Sequence, residues 1–102
     1  MKTTFAASLI AAIAFADASN HWAVIVAGSN SFWNYRHQAD AHHAWNVVTR
    51  NGIPEENVIL FAYDDIAFNS MNPIPGAIFN KPNGENVYNA EAIDYRGAAV
   101  TP

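Results

Sequence analysis

The sequence predicts an α/β fold built on a strand, helix, strand unit. Two apolar runs of strand length, Trp22 to Ala27 (WAVIVA) and Val58 to Tyr63 (VILFAY), flank a stretch whose apolar residues recur at helical spacing. A crossover of this kind makes the two strands parallel and right-handed.

The chain opens on Met1 to Ala18, which carries the single cation Lys2, an Ala-rich apolar stretch from Phe5 to Phe15, and the small residues Ala16 and Ala18. This pattern reads as a signal peptide cleaved before Ser19, because the apolar stretch is shorter than the roughly 20 residues of a membrane span. Its apolar residues are not confined to one face, which argues against an ordinary amphipathic helix. The expected mature part, residues 19–102, holds no later segment apolar enough to anchor in a membrane, so a soluble product of the secretory route is expected.

Trp22 to Ala27 is continuous, apolar and β-branched, and Gly28 ends it, as in a strand buried on both faces of a parallel sheet. From His37 to Asn51 the period changes. Ala41, Ala44, Trp45 and Val48 form one stripe of an amphipathic helix, and Gly52 and Pro54 stop it. Val58 to Tyr63 is the second strand, closed by Asp64 and Asp65. Beyond Asn72, Pro73, Pro75 and Gly76 break regular structure, and Lys81-Pro82-Asn83-Gly84 has Pro and Gly where a type I turn favours them. With Ala77 to Phe79 before the turn and Val87 and Tyr88 after it, a small hairpin is expected. A lone βαβ unit leaves strand edges unpaired, so further strands are expected to complete the sheet.

Composition removes several classes of function. The 102 residues are 51% apolar and 14% charged, with a net charge of −4. The five cations (Lys2, Arg36, Arg50, Lys81, Arg96) are scattered and leave no footprint for nucleic acid. The absence of Cys rules out disulfides, zinc-thiolate sites and a cysteine nucleophile within these residues.

In open α/β sheets a ligand lies beyond the carboxyl ends of the strands, and Gly28 to Arg36 and Asp64 to Asn72 occupy that edge. Arg36 offers a planar fork of donors for a carboxylate or amide oxygen, and His37 beside it donates or accepts near neutral pH. The plainer arrangement pairs Arg36 with Asp40 one turn on and uses His37 at the helix start, and spacing alone favours it. A metal site from His37, Asp40, His42 and His43 is disfavoured, since His42 and His43 are adjacent and diverge by about 100° on a helix. Asp64 and Asp65 suit an acid/base or magnesium pair less well than a loop-orienting role, because neighbouring side chains point apart. No Ser-His-Asp set and no phosphate-binding glycine pattern can be assembled.

Read together, His21 to Trp45, with NYRHQAD, then Arg50 to Gly76, with RNGIP, YDDIA and NPIPG, and Asn80 to Pro102, with PNG, VY and DY, resemble the N-terminal third of the legumain family, the C13 cysteine peptidases. The resemblance covers essentially all of the expected mature chain. It implies an incomplete caspase-like α/β/α sandwich and hydrolysis, without a cofactor or metal, of protein or peptide substrates after Asn (P1), in lysosomes, vacuoles or secretions. It implies that Asn34 assists the catalytic His, and that Arg36 and His37 form the floor of the pocket for the Asn side chain. The catalytic His and Cys of the family lie downstream of the matched region, so the chain alone is expected to be inactive. His42 stands where many relatives have a non-catalytic Cys. The catalytic subunit of the GPI-anchor transamidase shares FW, NYRH and the acidic pair and is the alternative enzyme; a non-catalytic truncated product is the alternative of another class.

Overall fold

A computed structural model describes residues 20–100. The expected signal peptide therefore lies outside the described residues. Strand β1 (Ala23–Val26) pairs in parallel with strand β2 (Val58–Phe61), Ala23 opposite Val58 and Val26 opposite Phe61. Helix α1 (Tyr35–Arg50) crosses between them. The expected parallel α/β unit is thus present, as befits part of a caspase-like domain.

Alternation along β1 sends Ala23 and Ile25 into the core, where they pack with Ala41 and Trp45 of α1. Val24 and Val26 take the other face and are 65% and 58% exposed. This corrects the expectation of a strand buried on both faces. A parallel strand is covered twice only when a layer lies on each side, and among the described residues α1 covers one. β2 is better enclosed, with Leu60 fully buried and worth about 1.5–3 kcal/mol in transfer free energy.

The outer edge of β2 is also closed. Asp94 N–H donates to Leu60 O at 2.9 Å, Leu60 N–H donates to Asp94 Oδ2 at 2.8 Å, and Ala62 N–H donates to Tyr95 O at 3.0 Å. Tyr95 then stacks on Phe61 with ring centroids 4.7 Å apart.

α1 stops where the sequence predicts. Gly52, at φ 100°, donates to Thr49 O, and Ile53 N–H reaches back to Val48 O, the paired bonds of a Schellman ending. Its start is earlier than the sequence predicts, because a 3-10 turn over Phe32–Asn34 feeds directly into Tyr35. The expected hairpin is reduced to one antiparallel bridge, Phe79 to Asn86, with Val87 N–H donating to Ile78 O at 2.8 Å. Its turn is closed by Gly84 N–H to Lys81 O at 3.1 Å, but Asn83 sits at φ 58°. A positive φ at the third position belongs to type II rather than type I, and Asn tolerates it better than other non-glycine residues.

Candidate active site

The loop after β1 is held by the sheet on one side and α1 on the other. Ala27 N–H extends the ladder to Phe61 O at 2.9 Å, and Asn34 N–H closes the 3-10 turn on Ser31 O at 3.0 Å. Asn34 occupies the N-cap position of α1 without a side-chain capping bond; its Nδ2 instead donates to Asn30 O at 2.9 Å. Arg36 is exposed and makes one long contact, Nη1 to Trp33 O at 3.5 Å. It forms no ion pair with Asp40, so the arrangement favoured by spacing is not the one adopted. His37 does not cap the helix either. Its Nδ1 lies 2.6 Å from Ser29 Oγ.

Gln38, fully buried in α1, ties the helix to the loop after β2. Its Nε2 donates to Asp65 Oδ1 at 2.7 Å and its Oε1 accepts from Asp64 N–H at 3.0 Å. Asp65 Oδ2 accepts from Ser31 N–H at 2.6 Å and so holds a residue with φ 74°. Only a specific restraint keeps a non-glycine residue in that region.

Asp64, itself at φ 67°, points elsewhere. Its Oδ1 accepts from Tyr88 Oη at 2.8 Å, and its Oδ2 lies 3.4 Å from Arg96 Nε. Burial, and then the Asp64 carboxylate, push the Tyr88 hydroxyl up to about 12. The two acids diverge and each orients a loop, as their adjacency predicts.

A cleft of about 620 Å³ runs beside β1, with Ile25, Ala27, Ala41 and Ala44 giving an apolar floor and Ser29, His37 and Asp40 a polar mouth. Of the three site residues the sequence predicts, His37 lines this cleft. Asn34, at the N-cap of α1, and Arg36, in its first turn, do not line it. His42 is buried while His43 is exposed, and among the described residues no three His, Asp or Glu side chains converge as metal ligands would. Sequence reasoning assigned no role to Ser29 and Gln38. For Gln38 a signal existed, since it precedes Ala41 and Trp45 by three and seven residues and shares their stripe, but its polarity masked it.

A parallel strand pair crossed by one helix, with polar loops at the carboxyl ends of its strands, defines an α/β protein. Residues 21–102 match the Peptidase C13 family, and the chain belongs to it. Over 86 residues it is 57% identical to legumain of Rattus norvegicus and 55% identical to legumain of Homo sapiens, covering 84% of this chain and 20% of either protein. A vacuolar-processing enzyme of Citrus sinensis is 56% identical over 80 residues, covering 78% of this chain and 16% of that enzyme. The chain therefore spans about a fifth of the length of the curated relatives it matches.

Proposed function

We propose that this chain forms the amino-terminal part of a legumain-like cysteine endopeptidase that cleaves after Asn in a secretory, lysosomal or vacuolar compartment, and that its share of the work is substrate recognition. Asn34, Arg36 and His37, which follow one another at the start of α1 on the rim beyond the carboxyl end of β1 in a C13 chain, support this reading, and of the three His37 lines the cleft. A carboxamide oxygen at that rim would take donors from Arg36, whose guanidinium is exposed and spends one weak bond on Trp33 O. Asn34 Oδ1 has no partner among the described residues and would remain open to a catalytic imidazole. In such an enzyme a Cys thiolate attacks the carbonyl after Asn, a His transfers protons, and backbone N–H groups hold the oxyanion. The 102 residues contain no Cys, so the nucleophile must come from other residues.

The test is turnover of an Ala-Ala-Asn reporter. The 102-residue chain alone is expected to be inactive, whereas a graft of residues 20–100 in place of their counterpart in rat legumain is expected to cleave the reporter and spare its Ala-Ala-Gln analogue. A folded graft that cleaves neither, or both equally, overturns the proposal.

A further inference from the structure

We propose that Ser29 is a positioning residue: its hydroxyl donates to His37 Nδ1 and holds the imidazole in the tautomer that carries its proton on Nε2, a donor facing the substrate amide. The purpose rests on the peptidase reading above. The geometry rests on the 2.6 Å contact between Ser29 Oγ and His37 Nδ1.

A neutral imidazole has one donor and one acceptor nitrogen, and the bond made by one nitrogen decides the role of the other. A hydroxyl can serve either way, and each direction leaves one proton without a partner in the pair. Apart from His37 Nδ1, Ser29 Oγ has no hydrogen-bond partner among the described residues. If Nδ1–H donates, the donor left over is the Ser29 hydroxyl; if Ser29 donates, it is Nε2–H. The direction proposed is the second, which leaves the free donor on the ring that lines the cleft.

Two rigid elements fix the pair. Ser29 lies two residues beyond the last ladder bond of the sheet, Ala27 N–H to Phe61 O, and His37 lies in the first turn of α1. Asp40, on the same cleft wall, forms no ion pair with His37, so among the described residues Ser29 is the side chain that settles the tautomer. With Nε2–H and the Arg36 fork both donating, the rim selects a side chain that offers an oxygen acceptor.

Long-range proton–nitrogen NMR correlation on the 102-residue chain, at alkaline pH where imidazoles are neutral, reads the tautomer directly. His37 is expected as the Nε2–H form, Ser29→Ala as a mixture of both forms, and Ser29→Thr as the Nε2–H form again. An Nδ1–H form in the parent, or an unaltered tautomer in Ser29→Ala, overturns the proposal. In the rat legumain graft, Ser29→Ala is expected to raise KM for the Asn reporter by about 3- to 10-fold, as loss of one neutral hydrogen bond implies, with kcat little changed and Ser29→Thr restoring KM. A fall in kcat with KM unchanged also overturns it. A graft with no activity before any substitution instead counts against the peptidase reading and leaves the NMR result to decide the role of Ser29.

Discussion

His42 shows how one side chain couples this fold to pH. It is 1% exposed, its Nε2 has no hydrogen-bond partner among the described residues, and its ring meets Tyr88 edge-on at 5.2 Å. Burial lowers its pKa from 6.5, and the Asp64 carboxylate opposes that shift only partly. Because the folded value is the lower one, the unfolded chain takes up the proton first as pH falls. The contribution of His42 to stability is therefore complete above about 6.5 and is lost as pH drops from there through the lowered folded value. His42→Leu, of similar volume and without a titrating group, is expected to reduce the fall in Tm between pH 7.5 and pH 5; an equal fall in both proteins would refute this account. At this scale the motif is what singles out Arg36 and His37, and their proposed roles rest on it. Ser29 was not legible, since a serine after a strand has no pattern of its own until His37 folds back onto it.

Among the elements, α1 does most to organise the site, and it does so through a polar residue on its buried stripe. Gln38 fastens α1 to the loop after β2 through its bonds to Asp64 N–H and Asp65 Oδ1, and Asp65 carries the link on to Ser31 N–H in the loop after β1. Gln38→Leu would keep the volume and leave the two Asp groups without that partner, at a cost of about 1–3 kcal/mol. Urea denaturation at neutral pH is the check, and a loss below about 0.5 kcal/mol, the level of an ordinary surface substitution, would show that the loops are held by other means. The period of Ala41, Ala44, Trp45 and Val48 disclosed the helix and its core face from sequence. It did not disclose that Gln38 and His42 share that face, because a search for apolar residues passes over polar ones that are buried with partners or against rings. The start of α1 escaped for a related reason: the 3-10 turn over Phe32–Asn34 carries no side-chain capping signal.

At the scale of the molecule, the two edges of the sheet differ. β2 is covered by Asp94 and Tyr95, a closure hidden from sequence because the Asp94 side chain completes the ladder in place of a strand. Among the described residues β1 pairs with β2 alone, and Trp22, Val24 and Val26 are more than half exposed. Apolar side chains beside an unpaired edge favour association. The 102-residue chain is accordingly expected to self-associate with rising concentration in sedimentation velocity, and Val26→Lys to suppress it; a monomer throughout would show the edge to be inert. Strand order and direction were readable from the two apolar runs and the helix between them, while the cover on each face depends on what packs there. The central claim, that the rim at the carboxyl edge recognises an asparagine side chain, is tested most directly by kcat/KM on the Asn reporter for Arg36→Ala in the rat legumain graft. Loss of a charged donor predicts a fall of about 10- to 100-fold; an unchanged kcat/KM would contradict the claim.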